Sequence, residues 1–393
     1  MNKRDYNQKI KELCTSAGCS ALLVSNPLSL TYVTGLELPF AEHFPEKPVT
    51  AIFLQDGPSL MLCPYEWRKS VLDQGWKGEL IDYRDSRADA ESFSAKKAAD
   101  FFRKQNTDSY TIGIEEEYIS RAFFELLQKA FAESRAESKF QLKGVDEILH
   151  SHKMVKSREE IERLQTAAEQ LDFGIIGALQ HLEGSLEDTG YTAEEFCERI
   201  RVHVYECGGT AGSLSAVAAN ENLTQFYGLP RGKFRNGEMV RIEAGSRYLG
   251  GTAVSSRMMT IGKATRLQKR AYMENQKLKR VLLRQLKPGN KCSDIYYTIE
   301  KKAHMDGIDL LPQFGLGHGI GSSEKEAPFL TPYDTTVLKE GMVIVAAVYS
   351  EGPHKELICS KDTYLIDSHG PTCISNYHNW ENLYEVTGFR SAH

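Results

Sequence analysis

From Phe314 to Gly321 the chain reads Phe-Gly-Leu-Gly-His-Gly-Ile-Gly, with glycine at every second position and a single histidine, His318, among them. Glycine lacks a Cβ, so a run of this kind turns tightly and lets its backbone approach a ligand closely. A histidine in a glycine-rich turn at the end of a strand is placed to act as acid, base or hydrogen-bond donor. The competing reading is an imidazole satisfied by a buried partner, and the sequence alone leaves both open.

Around this turn the chain divides into a smaller N-terminal part and a larger second part. A first helix is expected near residues 3 to 17, then the apolar strand Ala21-Leu-Leu-Val-Ser25, stopped by Asn26-Pro27. Short strands follow at Thr50–Leu54, Ser59–Cys63 and Tyr110–Ile114, with helical patterns around Ala95 to Arg103 and Ser120 to Ala132. Strands alternating with helices predict a three-layer α/β domain over residues 1 to 148. The charged segment Leu149-His-Ser-His-Lys-Met-Val-Lys156 is the expected junction to a second domain, 149 to 393.

That second domain opens on Ser157-Arg-Glu-Glu160, a capping box whose hydroxyl and carboxylate satisfy reciprocal backbone amides. Apolar residues at 161, 164, 168, 171, 175, 179 and 182 then keep a 3.6-residue period. Thr192-Ala-Glu-Glu195 caps a second helix, closed by Gly208-Gly209. Strands run to residue 262, and helices are expected from about 264 to 286 and from Ser293 to Gly307. Strands at 342 to 349, 356 to 359 and 362 to 367 complete the pattern.

Length and composition exclude several classes. The 393 residues suffice for two sizeable cores, and 41% hydrophobic content is ordinary for a soluble globular protein. A formal charge of -5, with no basic block or basic-aromatic stripe, argues against a nucleic-acid partner. The first residues lack a secretory apolar core and no apolar run reaches membrane-spanning length, so a cytoplasmic location without membrane attachment is expected. The eight cysteines stand in mostly apolar contexts without a C-x-x-C pair, which reads as buried reduced thiols rather than a zinc or redox site.

Several segments together resemble the creatinase, prolidase and methionine aminopeptidase family, whose catalytic domain has the pita-bread fold. Gly317-His318-Gly319-Ile320-Gly321 is similar to its histidine element. The run from Met239 to Gly262 is similar to its paired-Asp hairpin, usually read V-x-I-D-A-G-x-x-Y-x-G-Y-x-S-D-x-T-R-T-x-x-x-G. Glu243 falls on the first Asp and Val254 on the second, and Arg257 is the family's arginine there. Glu326 and Pro328 keep part of an H-E-x-P pattern whose histidine is Lys325. Gly341–Ala347 resembles G-M-V-x-x-x-E with Ala347 for the carboxylate, and Ser360-Lys361-Asp362-Thr363 resembles E-D-T with Lys361 for the ligand. Phe226 lands on the substrate-facing histidine of the family's P-H-Y element. Tyr32-Val-Thr-Gly35, within Ala21 to Gly35, resembles the creatinase and prolidase N-terminal domain. The likeness is firm over about residues 145 to 370 and loose before it.

The resemblance implies an α/β N-terminal domain plus an α+β pita-bread domain with two αα-then-β halves, assembled as a homodimer. The loop Glu37 to Lys47, with Glu42, His43 and Phe44, would be a lid. It also implies a site for a dinuclear metal, yet only Glu243 and His318 of the five ligand positions carry donors, and two donors do not make a site. Lys361 brings a positive charge to the place of a metal ligand, where like unit charges about 4 Å apart repel by several kcal/mol even at an effective dielectric near 20. No metal and no other cofactor is therefore expected.

The catalytic candidates are His318 for proton transfer and Glu243 and Glu326 for a cationic group. Lys361 or Arg257 would hold a carboxylate, Phe226 and Tyr227 would form an apolar wall, and His43 would come from the lid. Glu243 in an apolar strand needs a cationic partner or a ligand, and a structural salt bridge to Lys361 or Arg257 meets that need equally well. Glu324 and Lys325 read as a solvated loop. Three functions compete. The first is a metal-independent enzyme on a small zwitterionic nitrogen-containing metabolite, amino-acid-like or guanidino, since creatinase hydrolyses a C–N bond on this fold without metal; cyclisation, elimination and isomerisation would need the same groups. The second is a non-catalytic binding or scaffold protein, and the third a divergent Xaa-Pro aminopeptidase or dipeptidase.

Overall fold

Short apolar segments that bury both faces need helices on each side, and the first unit is built that way. The computed structural model describes residues 6–38, 41, 44, 46–84, 87–105, 109–133, 139–185, 190–226, 229–375 and 380–387. These fall into two compact units, Met1–Lys153 and Met154–His393. The expected division at 148 lies inside the continuous helix Asp146–Met154, so the break comes after Lys153 instead.

In the first unit β1 (Ala21–Val24), β2 (Thr50–Leu54), β3 (Ser59–Pro64), β4 (Glu79–Tyr83), β5 (Ser109–Ile114) and β6 (Lys139–Gly144) form one mixed sheet in the order β4-β3-β2-β1-β5-β6. Strands β1 to β3 are buried along their whole length. One face packs on the helix Tyr6–Ala17 and the other on the helices Arg87–Arg103 and Arg121–Glu133. The sequence reading misses β4 and β6 because they are the two edges, where polar residues replace the continuous apolar run. Asn26-Pro27 is more than a stop: the Asn26 side chain accepts from Leu28 N and caps a helix, Pro27–Thr34, with proline in its first turn.

The second unit repeats helices followed by strands. Both expected capping boxes form, at Ser157 with Glu160 and at Thr192 with Glu195, opening the helices Arg158–Ser185 and Ala193–Glu206. β7 (Thr210–Ala219), β8 (Met239–Tyr248) and β9 (Gly251–Ile261) follow. After the helices Arg266–Gln285 and Cys292–Asp306 come β10 (Gly317–Gly319), β11 (Glu326–Phe329), β12 (Val343–Glu351) and β13 (Leu357–Asp367). The sheet runs β11-β10-β12-β13-β9-β8-β7, with β14 (Gly370–Cys373) on β13 and β15 (Tyr384–Val386) on β9. This is the pita-bread architecture. The two strands expected at 356 to 359 and 362 to 367 are one, because the polar break Ser360-Lys361-Asp362 is paired across β12 and both charges find buried partners.

Register decides which residues share a face. Glu243 opposes Ser256, Ser256 opposes Lys361, and Lys361 opposes Ala347, so these four form one row on the side away from the helices. The next residues point the other way. Arg257 Nη1 lies 2.6 Å from Asp362 Oδ1, and its Nη2 lies 3.4 Å from Asp172 on the helix Arg158–Ser185. Lys279, from the helix Arg266–Gln285, also bonds Asp362. Burial works against the Asp362 charge, but Arg257 and Lys279 outweigh it and lower its pKa. Among the described residues no helix is long and apolar enough to cross a membrane.

Asp362 is the anion that two buried cations share. Asp362→Ala is expected to reduce unfolding free energy by about 3–5 kcal/mol, since it strands Arg257 and Lys279 in the interior. A loss below about 1 kcal/mol in urea titration would show that water or rearrangement satisfies them.

Candidate functional site

The inner row of the sheet centres on one carboxylate between two cations. Lys361 Nζ donates to Glu243 Oε2 at 2.9 Å. Arg241 Nε lies 3.0 Å from Glu243 Oε1, at ion-pair distance though not at a hydrogen-bonding angle. All three side chains are almost wholly buried. Burial alone would discharge Lys361, but the facing Tyr349 and Glu243 hold its pKa well above the ordinary range. The rest of the Arg241 guanidinium donates to the carbonyls of Gln225 (2.6 Å), Phe226 (2.9 Å), Leu357 (3.2 Å) and Leu223 (3.4 Å).

That grip positions Phe226. Its ring stacks on Phe314 with centroids 4.5 Å apart, and Tyr349 lies 5.3 Å from each of them. The three rings form an apolar wall beside Lys361, whose Nζ is 5.7 Å from the Tyr349 centroid.

His318 stands on β10, which glycine allows to press against its neighbour: a Cβ on Gly317 would lie 2.1 Å from the Val345 carbonyl, and Gly317 has φ +142°. His318 Nδ1 is 2.9 Å from the Gly319 carbonyl oxygen, which can only accept, so the proton sits on Nδ1 and Nε2 keeps its lone pair. Burial lowers the His318 pKa to about 3; the Gly319 bond opposes this, and the charges of Lys361 and Lys325 add to it. The imidazole is neutral near neutral pH. In this resting form the ring can act as base or acceptor.

Three sequence expectations need correction. Arg257 does not reach the inner face: β9 alternation turns it toward the helices, where Asp362 and Asp172 engage it, so it is no substrate clamp. Glu326 is not an open carboxylate. Lys156 Nζ donates to its Oε1 at 2.5 Å, with side-chain exposures of only 2% and 12%, so its charge is already neutralised. Glu243 is likewise engaged by Lys361 and Arg241, which leaves it no unshared charge for a substrate cation. Tyr227 and His43 lie outside the described residues, as does part of the Glu37 to Lys47 lid. Arg241, Lys156 and Tyr349 were missed. Arg241 occupies a spacer position of the hairpin pattern and Lys156 the end of the junction, and neither location signals a buried ion-pair partner.

The donor set does not fit a dinuclear metal. Val254 packs among Leu164, Ile320, Val343, Val345 and Ile374, and Ala347 among Tyr349, Leu357 and Cys359. Among the described residues no three His, Cys, Asp or Glu side chains converge as a metal site would require. Lys361 also points its ammonium at the one carboxylate left in the row.

Comparison with known proteins gives the same architecture. The model of metallopeptidase family M24 matches residues 162–368, and that of the creatinase/prolidase N-terminal domain matches residues 7–155. An Xaa-Pro dipeptidase of Lactobacillus helveticus is 23% identical over 337 residues, covering 85% of this chain and 86% of that protein. The crystal structure of a recombinant prolidase from Thermococcus sibiricus superposes with TM-score 0.80 at 18% identity, covering 98% of this chain and 99% of the other. An Xaa-Pro dipeptidase structure from Bacillus anthracis gives TM-score 0.78 at 16% identity over 98% and 100%. At these identities the superpositions speak to the fold alone.

Two outcomes follow from the site's charges. Protein purified without added metal should carry no stoichiometric divalent ion, and chelator should leave its thermal unfolding unchanged; about two equivalents of manganese, cobalt or zinc would contradict the donor set. The His318 ring carbons should keep neutral-form NMR shifts from about pH 8 down to about pH 5, and a midpoint near the ordinary value of about 6.5 would contradict the burial argument.

Proposed function

The chain belongs to metallopeptidase family M24, and from that premise we propose that it is a metal-independent enzyme that acts on a bond to nitrogen in a small zwitterionic, amino-acid- or dipeptide-like molecule. The observation that carries this reading is the Lys361–Glu243 pair, which sets a buried ammonium in the row where the family pattern calls for a carboxylate ligand. A fixed cation in a site screened from water stabilises negative charge developing on a substrate oxygen without reorganising solvent. His318 Nε2 would take the proton from water or substrate and return it to the leaving nitrogen, so the ring ends the cycle neutral as it began. The aromatic wall of Phe226, Phe314 and Tyr349 would pack the substrate's apolar part.

The relatives' names favour a dipeptide over a guanidino compound, and they support a second reading, a divergent Xaa-Pro dipeptidase. The two readings part on metal: the first keeps turnover in chelator, the second loses it. A homodimer and a cytoplasmic location belong to the same proposal, and a monomer in sedimentation at micromolar concentration would remove the dimer.

Screening small dipeptides and amino-acid amides for turnover in the presence of chelator tests the reading. With a substrate in hand, His318→Ala should lower kcat by about 10²-fold or more while thermal unfolding stays near that of the parent. Turnover at the parent rate would leave His318 without a catalytic part. No turnover of any member of the panel, with binding retained, would favour a non-catalytic binding protein.

A further inference from the structure

The chain is acidic overall, yet the helix Arg266–Gln285 carries seven basic residues and only one acidic residue, Glu274. Lys279 turns inward to Asp362. The other six, Arg266, Lys269, Arg270, Lys277, Arg280 and Arg284, are all exposed. At 3.6 residues per turn they lie within about 100° of the helix circumference, in a row about 27 Å long. Spread along the helix rather than run together, they form no basic block in the sequence. Other helices pair opposite charges along their exposed faces: Arg121 with Glu125, Arg158 with Glu162 and Arg201 with Glu198. In the row, Glu274, Asp306 and Glu385 engage Arg270, Lys277 and Lys269. Arg266, Arg280 and Arg284 have no carboxylate at ion-pair distance among the described residues. Arg280 and Arg284 stand one turn apart, where like charges destabilise a helix. A face that meets only water avoids that cost by mixing its signs.

We propose that this face is a docking surface for an acidic amphipathic helix of another protein. Carboxylates at three- and four-residue intervals on such a helix share the rise of the row and can meet Arg266, Arg280 and Arg284 along its length. Met273 lies within the row and Leu267 beside it, each 59% exposed. The apolar edge of an amphipathic helix can cover both, whereas a phosphate backbone offers them nothing apolar. The helix Cys292–Asp306 shares a core cluster with this one through Leu278, Leu282, Ile295 and Ile299, and it turns Asp294 and Glu300 to solvent. A bilayer or nucleic-acid duplex wide enough to cover both helices would meet those carboxylates, so a partner one helix wide fits better.

Fluorescence anisotropy of a labelled helical peptide of about 20 residues, with Glu at three- and four-residue spacing and Leu along one edge, tests the proposal on the full chain. Replacing every Glu of the peptide by Gln should weaken binding about tenfold or more, and raising the salt concentration should weaken it too. Arg280→Glu together with Arg284→Glu should lower affinity about tenfold or more, with thermal unfolding near that of the parent because both side chains are exposed. Lys96→Glu together with Lys104→Glu makes the same change of net charge on the first unit and should leave binding at the parent level. No binding of the Glu peptide by the parent at low salt, or equal losses in the two double variants, overturns the surface. Tighter binding of single-stranded RNA or of phosphatidylserine vesicles than of the Glu peptide overturns the partner, and the proposal with it.

Discussion

A carboxylate buried in the middle of an apolar sheet cannot stand alone, and the pairing of Glu243 with Lys361 and Arg241 organises the face around it. The pairing reaches beyond electrostatics. Arg241 uses the rest of its guanidinium to hold the carbonyls of residues 223, 225 and 226, so the same cation that flanks Glu243 seats the Phe226 ring against Phe314 and Tyr349. Lys361 lies beside that aromatic wall, so ion pair and apolar surface are parts of one packed arrangement. Two cations around one carboxylate leave positive charge at the site. Burial keeps the neighbouring imidazole neutral, and the charge of Lys361 adds to that effect.

The sheet keeps this cluster apart from a second one by its two-residue period. Lys361 and Asp362 are neighbours in sequence, yet they serve opposite faces. The first faces Glu243, and the second joins Arg257 and Lys279 beneath the helices. The helix-side cluster ties helices from both halves of the unit to the strands between them. The inner cluster lies on the opposite face of the same strands. A one-residue slip in β13 would exchange the two and bury like charges together, so the charges themselves help to define the register.

Relatives below 25% identity share the fold, which indicates that the architecture rests on burial pattern rather than on the site. In this chain the sheet, its paired helices and the glycine-rich turn surround valine, alanine and lysine at the positions where the family pattern would place donors. Such replacements are tolerated because each fits its surroundings: Val254 and Ala347 join apolar clusters, and Lys361 finds an anion.

Much of the fold was legible from residue pattern. Apolar runs, capping boxes and helix-ending glycines locate the buried strands and long helices, because those signals are local and each is read within a few residues. Edge strands β4 and β6 were not legible, since half-exposed strands carry no continuous apolar run. The resemblance marks Glu243, Val254, His318, Ala347 and Lys361 as one set of positions, and alternation within a strand puts Lys361 and Asp362 on opposite sides. What pattern cannot supply is which side chain meets which across distant segments. That Lys156 neutralises Glu326 is a contact across 170 positions of sequence, and that Arg241 rather than Arg257 flanks Glu243 turns on which face of the sheet each one occupies. The energy of a buried charge depends on what surrounds it in three dimensions. Sequence therefore determined which residues could be charged and buried, and only the packed sheet decided which of those charges pair with one another.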